Sequence, residues 1–121
     1  MALRDEIMKA VGAHGEWKMR LKAAITNGKS EFQVSTVQKD NECPFGKWLY
    51  SSLSEVKSSA EYESVRQLHA KFHTEAANVL DLALKGNKAE AEKSLESGGT
   101  FAQASTELTN ALMAWRNSAT S

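Results

Sequence analysis

Apolar residues recur along this chain at intervals of three and four, the spacing of one buried helix face. Leu3, Ile7, Val11, His14, Leu21 and Ile25 form such a stripe, with Trp17 alongside, and predict a helix from about Leu3 to Thr26. Asn27-Gly28 should stop it, because both residues tolerate the left-handed backbone of a helix end. A second stripe, Tyr62, Val65, His69, Phe72, Ala76, Leu80 and Ala83, predicts a helix over about Glu61 to Lys85, with His73 on the same side and Gly86-Asn87 as its stop. A third starts at Asn87-Lys88 and runs through Ala91, Leu95, Ala102, Ser105, Leu108, Leu112 and Trp115. Gly98-Gly99 interrupts it, and since the period resumes, a kink, a bulge or a tight helix crossing is expected there rather than a full loop.

The stretch between the first two long helices is different. Residues 28–46 lack a sustained period, although Phe32, Val34 and Val37 can pin them to a core, and Asp40-Asn41-Glu42 is turn-prone. Cys43-Pro44-Phe45-Gly46-Lys47-Trp48-Leu49-Tyr50 then reads as a short helix opened by proline, whose missing N–H is harmless in a first turn. Trp48 and Leu49 are its apolar anchors, and Ser51, Ser52 and Ser54 point to an early end. Cys43 falls near the N-cap, where the positive end of the helix should lower its thiol pKa. The fold class is therefore all-α. The expected architecture is an antiparallel four-helix bundle, with three long helices and a short one carrying the Cys motif.

At 121 residues the chain forms one domain, residues 1–121, with room for a single core. Lysine plus arginine and aspartate plus glutamate number 15 each, so there is no basic excess of the kind a nucleic-acid face needs. No apolar run approaches the ~18 residues of a membrane span, and the charged opening residues do not resemble a signal peptide. The single cysteine makes no internal disulfide, which fits a reducing cytoplasm.

The candidate chemistry lies on the inward stripes. His69 and His73 are one helical turn apart, so both imidazoles point the same way. The third histidine, His14, sits mid-stripe on the first helix, flanked by Gly12 and Gly15. Each glycine costs up to ~1 kcal/mol against alanine inside a helix, which suggests close backbone approach there. Taken singly, a histidine on an apolar stripe is more often a hydrogen-bonded core residue, and a lone cysteine a small buried hydrophobe. Jointly, three inward imidazoles without a complementary acidic stripe would be costly to bury unpartnered. Three nitrogens and one thiolate from His14, Cys43, His69 and His73 match a zinc ion. Asp40, Glu16 and Glu75 are candidate acceptors for the imidazole N–H groups. Proton competition on those imidazoles should weaken zinc binding below roughly pH 6.

Enzyme patterns are missing. A His-Glu-x-x-His protease motif would need glutamate at Ala70, and di-iron sites would need glutamate at Val11, Arg66 or Ala70. One cysteine excludes a Cys-x-x-Cys-His haem attachment. Four protein ligands would also leave no open position on zinc for a substrate. The chain is read as a non-enzyme. The competing reading is a structural, zinc-stabilised dimerisation module without a sensing role.

The order His14…Trp17, then Cys43-x-x-Gly46-x-Trp48, then His69-x-x-x-His73 closely resembles the chemoreceptor zinc-binding (CZB) domain family. The resemblance covers most of the chain, from His14 to the late helix ending near Trp115. It implies a cytoplasmic bacterial helical domain with a three-His, one-Cys zinc site at His14, Cys43, His69 and His73. It also implies a sensor of zinc, and of oxidants such as hypochlorous acid at a redox-switching Cys43. Such domains are often homodimeric and serve chemotaxis receptors or diguanylate cyclases of cyclic-di-GMP signalling, so signalling domains are expected partners in cis or in trans. Neither nucleic acid nor membrane is implied.

Overall fold

A computed structural model describes residues 2–30, 32–41, 43–51 and 60–118. The side chain of Leu3 and the residues Ser52 and Ser54 lie outside the described part. Among the described residues there are seven helices and no strand, as the spacing predicts. They are α1 (Ala2–Gly15), α2 (Trp17–Asn27), α3 (Val34–Val37), α4 (Pro44–Ser51), α5 (Ala60–Leu84), α6 (Lys88–Leu95) and α7 (Thr100–Ser118).

The 25-residue α5 is the central element, and ten of its residues are buried, from Tyr62 to Ala83. It packs most extensively on α7, and α2, α3 and α6 complete its surroundings, while α1 packs mainly on α7. Phe72 meets Phe101 and Tyr62 meets Trp115, so α7 runs antiparallel to α5. The core is apolar and includes Ile7, Leu21, Leu49, Val65, Phe72, Leu80, Leu108 and Leu112, each almost inaccessible to solvent.

The expected first helix is in fact α1 followed by α2. They adjoin at Glu16, whose backbone stays in the right-handed helical region, so the path continues almost unbroken and one stripe serves both. Gly28 and Gly86 adopt the left-handed conformation and end α2 and α5 where the sequence indicates. The last segment departs further. Glu96 is extended and Gly98 is left-handed, so residues 96–99 form a true break between α6 and α7, not a kink. That break resets the helical phase. Phe101, Ala104, Leu108, Leu112 and Trp115 face the core, while Ala102 and Ser105 are only half-buried. Gly12 and Gly15 are exposed, and a Cβ on either would meet nothing within 4 Å. Among the described residues, the close backbone approach expected there is not seen.

The segment from α3 to α4 wraps one side of this core. Val37 is buried, and Phe32 and Val34 pack against the core, as anticipated for the irregular connection. In α4, Phe45, Gly46 and Leu49 are buried and Trp48 is half-buried. The Tyr62 hydroxyl donates to the Leu49 carbonyl at 2.9 Å, and Trp48 lies 6.0 Å from Trp115. These contacts fasten α4 to the start of α5 and the end of α7.

Candidate metal centre

Two helices and one helix cap bring the candidate ligands together. α1 packs on α7 beside α5, and from its last turn the His14 ring reaches to 4.9 Å from that of His69 and 5.5 Å from that of His73. The i, i+4 spacing on α5 holds the His69 and His73 rings 4.5 Å apart. Cys43 enters from the other side as the residue before Pro44, where the Gly46 N–H donates to its sulfur at 3.3 Å. This is an N-cap contact in which sulfur replaces the usual oxygen acceptor.

One ligand atom from each of His14, Cys43, His69 and His73 lies within 4.8 Å of the other three. The Cys43 Sγ is 3.3 Å from His69 Nε2 and 4.0 Å from His14 Nε2, and the two Nε2 atoms of His69 and His73 are 3.1 Å apart. Zinc bonds of about 2.0–2.3 Å place neighbouring tetrahedral ligand atoms about 3.3–3.8 Å apart. These three separations bracket that edge, and the full set, within 4.8 Å, needs only a small contraction around an ion.

The outer nitrogens fix which ring atoms face inward. His14 Nδ1–H donates to the Ala10 carbonyl at 2.7 Å, and His73 Nδ1–H donates to the Val37 carbonyl at 2.9 Å. A proton held on Nδ1 leaves Nε2 with its lone pair free, which is the tautomer a metal ligand requires. His69 Nδ1 is buried without a hydrogen-bond partner among the described residues. Edge-on contacts of His14 with Phe72 and of His69 with Phe45 wall the site with aromatic rings.

A model of the chemoreceptor zinc-binding domain matches residues 14–80, more than half of the chain. The chain belongs to this family. No curated protein and no solved structure matches the chain significantly. CZB is a regulatory zinc-binding family rather than a catalytic one, and its domains usually sit in chemoreceptor-type signalling proteins. The family cofactor, zinc, fits the donor set seen here: three imidazole nitrogens and one sulfur, mutually close and turned inward. No helix among the described residues is long and apolar enough to cross a membrane.

The surroundings of the CZB site correct several expectations. The acceptors for His14 and His73 are backbone carbonyls, not the carboxylates of Asp40, Glu16 or Glu75. Those carboxylates are engaged or placed elsewhere. Asp40 accepts the Tyr50 hydroxyl, Glu16 pairs with Arg20 at 3.1 Å, and Glu75 lines a groove with Asn78 and Gly99. Asp40 still touches the site electrostatically, opposing the loss of charge on His73. A carbonyl in this role is invisible to a search by side-chain type. Its only signals are the histidine's own i−4 residue, Ala10, and the apolar pin at Val37.

The Cys43 thiol is also not activated. Burial pushes its pKa up, and the Gly46 and Phe45 N–H groups oppose that only partly. The expected lowering by the helix end is outweighed because the sulfur lies under protein rather than at an open cap. Burial acts on the imidazoles in the opposite sense, since it again disfavours the charged form. His14 is lowered to about 4, against the pull of the Ala10 carbonyl and with help from His73. His69 is lowered to about 2 by burial and then by its two histidine neighbours, and burial lowers His73 despite Val37. In the metal-free fold His14 and His69 therefore stay neutral well below pH 6, and burial moves His73 in the same direction. At neutral pH the competing proton is the one on Cys43.

Gly46 is the residue whose structural role the spacing alone understated. A Cβ there would collide with the Asp40 carbonyl, so the 37–41 turn lies directly on the first turn of α4. That turn also carries the Val37 carbonyl that orients His73, so one short segment steadies two opposite sides of the site.

Proposed function

We propose that this CZB domain is a cytoplasmic zinc-responsive regulator in which His14, Cys43, His69 and His73 hold the ion and Cys43 is the ligand that lets go. The observation that carries this reading is the asymmetry of the four donors. The three imidazoles are buried in the packed body, whereas Cys43 is half-buried on the cap of an eight-residue helix.

Zinc, when bound, supplies a Lewis acid that favours the thiolate over the thiol. The protein's own residues do the rest. Ala10 and Val37 hold two imidazoles in the ligating tautomer, and Gly46 keeps the sulfur facing them. Hypochlorous acid would convert the Cys43 thiolate to a sulfenic acid. An S–O bond forms, the O–Cl bond breaks and chloride leaves, so sulfur loses two electrons and its negative charge. A neutral sulfur is a poorer zinc ligand, and α4 is then free to shift. Trp48 against Trp115 and Tyr62 against Leu49 would pass that shift to the ends of α7 and α5. The output is read by a chemoreceptor signalling or diguanylate cyclase domain, in cis or in trans, with a homodimer as the working unit.

The test is the response of tryptophan fluorescence and circular dichroism to chelation and to hypochlorous acid. The wild type should keep its helices and change its tryptophan signal, and Cys43→Ala should lose the oxidant response. An unchanged response in Cys43→Ala would refute the switch. Wholesale unfolding on chelation would make zinc a structural staple instead.

A further inference from the structure

We propose that a cavity beside the metal centre is the port through which small uncharged oxidants reach Cys43, and that its apolar walls select them over anions. This rests on the reading of Cys43 as the oxidisable zinc ligand. The cavity, of about 410 Å³, lies between α1–α2 and the start of α4 and ends on His14 and Cys43. Ala10, Ala13, Trp17, Pro44 and Phe45 line it, together with the charged side chains of Glu6, Lys9 and Arg20.

Exposure of the four donors is one-sided. Cys43 is half-buried, His14 is 6% exposed, and His73 and His69 are 3% and 0% exposed. Among the described residues, a reagent coming from solvent through this cavity therefore meets the sulfur and the edge of His14 before the other donors. The charged residues of the lining are already paired with one another or with a neighbour. Lys9 pairs with Glu6 at 3.6 Å, and Arg20 pairs with Glu16 at 3.1 Å. The Arg20 guanidinium also lies over the Trp17 and Phe32 rings, at 5.1 and 5.3 Å. An anion entering here would give up water for alkyl and aromatic walls without gaining an unpaired cation among the described residues. A neutral HO–X oxidant avoids that penalty. At the sulfur an S–O bond forms, the O–X bond breaks, and chloride or hydroxide leaves.

Alkylation rates of the full chain test the port, with neutral iodoacetamide and anionic iodoacetate as probes. In both, sulfur forms an S–C bond and iodide leaves. Relative to the urea-unfolded chain, the folded protein should favour iodoacetamide over iodoacetate. Ala13→Trp, at an exposed position on the cavity wall, should slow iodoacetamide and hydrogen peroxide several-fold. Met19→Trp, at a position 75% exposed and off the cavity, should leave both rates unchanged. Lys9→Trp at the rim provides a second obstruction should Ala13→Trp alter the circular dichroism spectrum. Equal normalised rates for the two probes, or no slowing by the wall variants, would overturn the port. The ligand assignment is read separately, from whether zinc slows alkylation. If it does not, that assignment fails, while the wall variants in zinc-free protein still decide the port.

Discussion

The two sides of the metal centre are built by different means. The α5 side is made by packing. His69 and His73 belong to a long helix with a continuous buried face, and Phe72 between them touches both the His14 ring and Phe101 of α7. The α4 side is made by a few specific contacts. These are the Gly46 N–H on sulfur, the fit of Gly46 under Asp40, the Tyr50 hydroxyl on the Asp40 carboxylate, and the Tyr62 hydroxyl on Leu49. Burial by packing spreads over many neighbours and is hard to undo locally. On this side Phe45 and Leu49 anchor α4 in the core, but Cys43 itself is half-buried at the cap and held by fewer neighbours. That difference is what the proposed release of Cys43 rests on.

The largest perturbation should come from breaking the packed side. Phe72→Ala removes a fully buried ring from the centre of the bundle and should cost about 3–5 kcal/mol. Urea unfolding should show the loss with and without zinc. If the loss disappears when zinc is removed, the packed side is not independent of the metal.

Acid is the next lever. An unfolded histidine takes up its proton near pH 6.5, while folded His14 resists protonation to about 4. As pH falls through that window, the unfolded state binds protons that the folded state does not, so the metal-free fold loses stability. The His14 shift alone amounts to about 3 kcal/mol between pH 6.5 and 4. Denaturant midpoints of metal-free protein across that range would check it. A flat profile would mean that the imidazoles are not held neutral by burial.

Gly46→Ala tests the α4 side more gently. Overpacking there should cost about 1–3 kcal/mol and push α4 off the 37–41 turn. Zinc affinity should fall while most of the helical signal remains. Loss of the whole fold would show that the two sides are one cooperative unit.

Helix positions and the convergence of His14, His69 and His73 were legible in the sequence because both follow a period. Inward stripes put His14, His69 and His73 on core faces, and Pro44 fixed the cap at Cys43. What escaped depended on contacts between distant segments. The phase of α7 was reset by the backbone at Glu96 and Gly98, which a resumed period conceals. The acceptors at Ala10 and Val37 are main-chain atoms, without residue identity. The raised Cys43 pKa depends on how deeply the cap is covered, which the local dipole does not reveal.

The central claim is a zinc ion held by three imidazoles and one releasable thiolate. Zinc K-edge absorption fine structure of the loaded protein, before and after one equivalent of hypochlorous acid, tests it most directly. The account predicts three nitrogen scatterers near about 2.0 Å and one sulfur near about 2.3 Å, with the sulfur shell lost on oxidation and the nitrogens retained. A first shell without sulfur, or a sulfur shell untouched after Cys43 is oxidised, would contradict it.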